Sequence, residues 1–422
     1  NPLNNECNFY INNTELVQEL NIDNITEINA NSFYGCTSLN KVIIGKNINR
    51  IATYAFYNCN NLEEVVFVDD SQINFIDSYA FAECTNLKNV NFGINSKLET
   101  MNDRIFYNCT SLVNIILPSE LTHLGKLSFY RCTSLENVYF EDNCKLTAFS
   151  SQLFYNCNNL KSIEIPENVN SIEDDAFEDC FNLESIIVKK GNSTYHSVNN
   201  SIIDTANKIL VVGSNSTVIP DDGSVTSIGN YAFNGRNIVS MQIPDCVVSI
   251  GSYVFQDCKN LTTITFGEDS QLKTIGDRAF HMCSALVNIE LPETLTNLPF
   301  GVFEQCSKLV NINIPNAVTS IGRYAFSGCR LLESITISAN ITNIDELAFQ
   351  SCSNLEYVII ESNEIYQNAG TSRTECGGLL AYVKEVRVLT SCIGESSNSY
   401  LENSVNFTKS IDGEYTVYTK VS

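Results

Sequence analysis

The sequence predicts a repeat solenoid of stacked coils with little regular helix, and three observations carry that prediction. A unit of the form Ile-x-x-x-Ala-Phe-x-x-Cys-x-x-Leu-x-x-Ile-x-Ile recurs from about residue 28 to about residue 360. Its phenylalanines are Phe33, Phe56, Phe81, Phe106, Phe129, Phe154 and Phe177, then Phe233, Phe255, Phe280, Phe303, Phe326 and Phe349. They lie 22 to 25 residues apart except across one interval of 56. A cysteine follows three residues after almost every one, from Cys36 to Cys352. A period in the twenties means coils that each bury an apolar side against the coils before and after.

Within a coil, Leu112-Val-Asn-Ile115-Ile-Leu117-Pro118 shows the alternation of a β-strand, so each coil is expected to donate one short strand. Pro118, Pro166, Pro220, Pro244, Pro292 and Pro315 follow such strands. Proline has no N–H and a fixed φ, so it marks a corner. Past the corner come Ile172, Ile228, Ile250, Ile275 and Ile321, often followed by glycine, and then the small alanine that leaves room for the ring. Stacked strands repeat at roughly 4.8 Å, which brings equivalent cysteines within disulfide reach, but parallel Cβ vectors give poor bridge geometry. The ladder cysteines are therefore read as buried free thiols acting as small apolar residues. No Cys-x-x-Cys occurs and the chain has 3 histidines, so neither a metal array nor another cofactor is expected.

These residues carry a resemblance. Ile-Gly-Arg-Tyr-Ala-Phe-Ser-Gly-Cys at 321 to 329, with its many relatives in register, resembles the BspA-like leucine-rich repeat family, the Treponema pallidum type. The resemblance implies an α/β-type solenoid, a curved right-handed leucine-rich-repeat coil with a parallel β-sheet on its concave face. It also implies proteins secreted or displayed by host-associated bacteria and mucosal protists and often regarded as adhesins. Departures are local: Ser32, Ile105, Ser128, Leu153, Val254 and Val302 replace the alanine, and Arg236 replaces a cysteine.

The expected organisation is an N-terminal cap and first strand over 1–27, a solenoid of about 13 repeats over 28–360, and a β-rich C-terminal cap over 361–422. The long interval before Phe233 suggests an inserted hairpin near 190–220, with Ser201–Asp204 and Lys208–Val212 as strands leaving the stack. In the cap, Leu379–Val383 and Val386–Leu389 read as strands, and Asp412-Gly413 as the turn of a last hairpin. Cys376 and Cys392 are either a pair or two unrelated thiols. The Asn-x-Ser/Thr sequons leave glycosylation open.

A net charge of −23 argues against nucleic acid and anionic membrane, which need basic patches. No apolar run approaches the roughly 18 residues of a spanning helix, so no membrane insertion is expected within this chain. Its start at Asn1-Pro2 without a signal-like segment reads as a mature or trimmed ectodomain, placed outside the cell or on its surface. His123, His196 and His281 lie in separate repeats, and the glycine loops and nucleophile elbows of enzymes are missing. The acidic clusters Glu173-Asp174-Asp175 and Asp221-Asp222 lack the spacing of a calcium loop.

The chain is thus expected to be a non-catalytic interaction scaffold. The row pointing out of the concave sheet is apolar towards the N-terminal half, and Ile43, Val66, Asn91, Ile116 and Tyr139 are its candidate binding residues. The expected partner is a protein ligand, a host or matrix protein. Two alternatives are a carbohydrate-binding surface module, weakened by 0 tryptophans, and a structural spacer.

Overall fold

Residues 10–11, 15–16, 18–368, 379–393, 401 and 407–421 are described in the computed structural model of the chain. The chain is a parallel-strand β-solenoid of about 15 turns. It divides into two units, Asn1–Asn207 with Val211–Thr217, and Lys208–Leu210 with Val218–Ser422. The described residues include the six-residue α-helix Asn363–Asn368, and among them no helix is long and apolar enough to cross a membrane.

Most coils donate two strands, one more than the alternation predicts, and the coil of Asn288–Glu290 has a single bridge at Leu298 in place of the second. The longer strand follows the leucine. In the first unit Glu19–Ile22, Lys41–Ile44, Glu64–Phe67 and Asn89–Asn91 form one parallel sheet, and Asn114–Leu117, Asn137–Phe140, Ser162–Ile165 and Ser185–Val188 form another. The shorter strand lies beyond the corner, as in Arg50–Ile51, Phe75–Ile76, Thr100–Met101 and His123–Leu124. Two residues are too few for alternation to register in sequence. The glycine after this strand answers a close approach: a Cβ on Gly125 would sit 2.4 Å from the Asn102 carbonyl carbon.

The phenylalanines form one continuous ladder inside each unit. Ring centroids are 4.9 Å apart for Phe33 and Phe56, 5.5 Å for Phe129 and Phe154, and 5.3 Å for Phe255 and Phe280, all stacked. In every coil but that of Phe177, which has only Asp179 there, two residues hold this segment in the left-handed region, at the second position before and after the ring. Tyr54 and Asn58 have φ of 58° and 59°, and Leu127 and Arg131 both have 57°. No valine, isoleucine or threonine occupies these places among the coils with positive φ, because a branched Cβ there is strained. The turn aims alternate N–H groups at the following coil: Tyr54, Phe56 and Asn58 donate to the carbonyls of Ser78, Ala80 and Ala82.

The cysteines are buried and also bonded. Each ladder thiol from Cys59 onward donates its S–H to the carbonyl of the phenylalanine one coil earlier, at 3.1 Å for Cys84 to Phe56, Cys157 to Phe129 and Cys283 to Phe255. That bond explains why the position holds cysteine where alanine would fill similar space. Arg236, at the one cysteine-less position, is also buried, and its guanidinium donates to the Asn234 carbonyl at 2.9 Å. Burial pushes the thiols of Cys109, Cys157 and Cys329 far above the ordinary value, and that of Cys352 up to about 12. The thiolate is the reactive form, so these groups stay protonated and inert at neutral and mildly alkaline pH. With a thiol reagent at pH 8, Cys246, which is part-exposed, should react before any ladder cysteine, and the ladder should react only on denaturation. Mass spectrometry finding most ladder cysteines in disulfides would contradict the geometry.

The insertion packs into the core of the first unit. Tyr195–Val198 pairs antiparallel with Ser201–Asp204 around Asn199-Asn200, whose φ values of 48° and 57° suit a type I′ turn. Ser201, Ile202 and Ile203 are fully buried, so this strand does not leave the stack. In the second unit Ser240–Ile243, Thr263–Phe266, Asn288–Glu290 and Asn311–Asn313 form a parallel sheet. Ser334–Ile337, Tyr357–Ile360 and Glu385–Leu389 follow in a further sheet, closed by the antiparallel strands Tyr415–Lys420 and Phe407–Asp412. Leu379–Val383, expected as a strand, contains turns and bends, with Leu379 and Val383 buried. Cys376 lies outside the described residues, while the Cys392 thiol donates to the Glu361 carbonyl at 3.1 Å.

Candidate interaction surface on the long-strand sheets

Alternation in the long strands sends every second side chain inward. Ile115 and Leu117 are buried, and Ile116 between them is 57% exposed. Its partner on the next coil, Tyr139, is 52% exposed and stands directly opposite in register. Asn114 and Asn137 run alongside as an amide pair at 2.9 Å, and Ser162 donates to the Asn137 Oδ1 at 3.3 Å. Glu164 opposes Ile187, which is 53% exposed and belongs with this surface although it lies outside the five candidate residues.

The other three candidates lie on the preceding sheet, where Ile43 opposes Val66 and Val66 opposes Asn91. Ile43 and Val66 are half-buried, and Asn91 is exposed with its Oδ1 accepting the Gly93 N–H at 3.0 Å. The five residues therefore fall on two ladders, Ile43, Val66 and Asn91 on one and Ile116 and Tyr139 on the other.

The division has a local cause. At several strand ends the N–H of the following residue donates to the coil before: Val68 to Ile44, Glu141 to Leu117, Lys189 to Ile165 and Gly267 to Ile243, at 2.9 to 3.1 Å, whereas that of Gly93 turns to the Asn91 Oδ1. Pro118, Pro166 and Pro292 stand at the same place and have no proton to give to Phe92, Phe140 and Phe266. No ladder forms between Asn89–Asn91 and Asn114–Leu117. The pairs Asn137–Phe140 with Ser162–Ile165, and Thr263–Phe266 with Asn288–Glu290, keep only their first two registered residues.

Between Asn137–Phe140 and Ser162–Ile165 the parting leaves a cavity of about 70 Å³, lined in part by Tyr139, Phe140, Glu141, Glu164, Glu167 and Lys189. Lys189 Nζ lies 2.9 Å from Asp142 and 4.0 Å from Glu164. That hydrogen bond holds the Asp142 carboxyl below its usual value and the ammonium above its own. A cation of the chain itself thus already serves this cavity.

Beside the buried phenylalanines runs a half-exposed tyrosine ladder, Tyr107, Tyr130 and Tyr155, with successive centroids 4.7 Å apart. Burial, with Asp179 and Glu178 nearby, pushes the Tyr155 hydroxyl up to about 12. The rings cover one another's faces, which removes the open aromatic platform that a sugar uses. His123 is exposed on a short strand, His196 faces the Thr205 hydroxyl at 2.8 Å, and His281 faces Gln256 at 3.2 Å. Among the described residues no three His, Cys, Asp or Glu side chains cluster as metal ligands would.

A BspA type leucine rich repeat region model matches residues 6–95, 91–203 and 226–356 in 6 copies. No curated protein sequence matches the chain. Among solved structures, a leucine rich cell surface protein from Faecalibacterium prausnitzii is 26% identical over 82% of this chain and 88% of its own, with a TM-score of 0.61. A leucine-rich repeat protein from Eubacterium ventriosum is 23% identical over 80% of this chain and 89% of its own, at 0.56. The pneumococcal vaccine antigen PcpA is 18% identical over 85% of this chain and 82% of its own, at 0.57. The last two establish likeness of fold alone. With a repeat model matching most of its length, the chain belongs to the BspA type leucine-rich repeat family.

Proposed function

We propose that this protein is a non-catalytic scaffold at or outside the cell surface that binds a host or neighbouring-cell protein in the manner of an adhesin. The observation that carries the reading is the exposed apolar row on the long-strand face of the first unit. Ile116, Tyr139 and Ile187 are each more than half exposed on regular backbone that has no need of them there. Side chains fixed on rigid strands lose little freedom on binding, and a large exposed aromatic is a common anchor of protein interfaces. Ile43, Val66 and Asn91 extend the surface on the adjoining sheet of the same unit. A relative described as a cell surface protein supports the location.

Probing a panel of matrix and host-cell proteins in parallel with a glycan array tests the partner class. A matrix or host protein is expected to bind, in competition with an excess of its own soluble form. Binding confined to glycans would replace the reading with the carbohydrate one. Protease shaving of intact cells of the source organism should release peptides of this chain, and their retention would place it inside.

A further inference from the structure

The second unit carries a groove of its own, far larger than the cavity beside Lys189. Thr263–Phe266 and Asn288–Glu290 stay in register only at Thr263 with Asn288 and Ile264 with Ile289. Past that point the strands part, because Pro292 has no N–H for the Phe266 carbonyl, whereas one coil earlier Gly267 donates to Ile243 at 3.1 Å. The opening is a groove of about 810 Å³. That volume falls in the range of ligand clefts, about 300–1,000 Å³.

Its chemistry is one-sided. Glu268, Asp269, Glu290 and Glu293 line it, all exposed, with no lysine, arginine or histidine among the lining residues. Elsewhere the coils commonly match an acid with a base on the next coil, as in Glu63 with Lys88 at 2.9 Å, Glu136 with Lys161 at 2.8 Å and Glu356 with Lys384 at 2.6 Å. Among the described residues none of the four groove carboxylates forms such an ion pair, although Glu293 accepts the Asn316 N–H at 3.2 Å. Negative charge is concentrated where the sheet is open.

We infer that this groove is a docking site for an extended basic segment of a partner protein, with lysine or arginine at alternate positions. An extended segment sends every second side chain to one side. Alternate cations would then meet the carboxylates on the two walls. An anionic membrane or a nucleic acid is repelled by the same groups. The site is independent of the apolar row in the first unit.

Fluorescence anisotropy with the full chain and a labelled peptide, acetyl-Lys-Val-Lys-Val-Lys-Val-Lys-amide, tests the proposal. The lysine peptide should bind and weaken as salt rises, and its glutamate counterpart should not bind. The double variant Glu268→Gln, Glu290→Gln should lose about tenfold or more in affinity. Thr265→Arg, which supplies a guanidinium at the wall of the groove, should lose as much. Glu99→Gln with Glu346→Gln removes equal charge elsewhere and should leave binding unchanged, as should Ile116→Lys with Tyr139→Glu. Equal weakening by the Glu99 and Glu346 pair would mean diffuse attraction to an acidic chain and overturn the site. Failure of the lysine peptide to bind, or its loss only in the Ile116 and Tyr139 variant, would overturn it too.

Discussion

Phe280→Ala should lower the stability of the second unit by about 3–5 kcal/mol, the cost of removing a buried ring and leaving its cavity. Phe280 is fully buried between Phe255 and Phe303, at centroid distances of 5.3 and 5.4 Å. Its N–H also donates to Val302, its carbonyl accepts the Cys283 N–H at 3.2 Å, and the Cys306 thiol reaches the same carbonyl at 3.1 Å. The alanine variant keeps those bonds in principle but loses ring contacts on both sides. Because each coil is supported only by its neighbours, a weak coil in the middle also uncouples the two ends, so the urea transition should broaden as well as shift. Thr265→Ala, at an exposed strand position, should stay within about half a kcal/mol. Equal midpoint shifts for the two variants would contradict the inward ladder.

How much of this was readable beforehand depends on the length of the pattern. The ring and thiol ladders repeat a dozen times and announce themselves. The outward row is legible because alternation over four residues, as in Asn114-Ile-Ile-Leu117, fixes which side chains face out. The two-residue strands escape because two residues carry no period. The paired left-handed positions escape because their signal is an exclusion, of branched residues beside each ring, which a consensus of preferred residues does not display. The thiol hydrogen bond escapes because a buried cysteine is equally well explained by size.

The parting of strands was legible in principle. Coils with a 25-residue spacing place a phenylalanine at the end of the long strand, as Phe67, Phe140 and Phe266, or just past it, as Phe92, while many others place a proline just past the strand. A phenylalanine-ended coil followed by a proline-bearing one leaves a carbonyl without its donor, at Phe92 before Pro118, Phe140 before Pro166 and Phe266 before Pro292. Proline marks a corner within its own coil. It also withholds a donor from the coil before, which moves the boundary of any binding surface. The parting between Asn311–Asn313 and Ser334–Ile337 has no such proline, since Ser338 follows the later strand, and nothing in the structure explains it.

The double variant Ile116→Lys, Tyr139→Glu should abolish capture of the protein partner found with the matrix and host panel while leaving the circular dichroism spectrum unchanged. Both side chains point away from the core, so the fold has little to lose. Placed directly opposite on neighbouring strands, they act as one patch, and charges inserted at its centre must be desolvated against a partner that offers nothing to pair with them. A loss of at least a hundredfold is expected, about 2.7 kcal/mol or more. Val66→Lys, on the other ladder and half-buried, should cost less, because the break before Asn114 separates it from the exposed patch. The acidic surroundings should make association weaken with salt if the partner is basic, through the encounter rate more than through dissociation. Full retention of binding in the double variant would remove the site from this face. Loss on replacing Asn199-Asn200 with Pro-Pro, with the double variant intact, would assign it to the insertion instead.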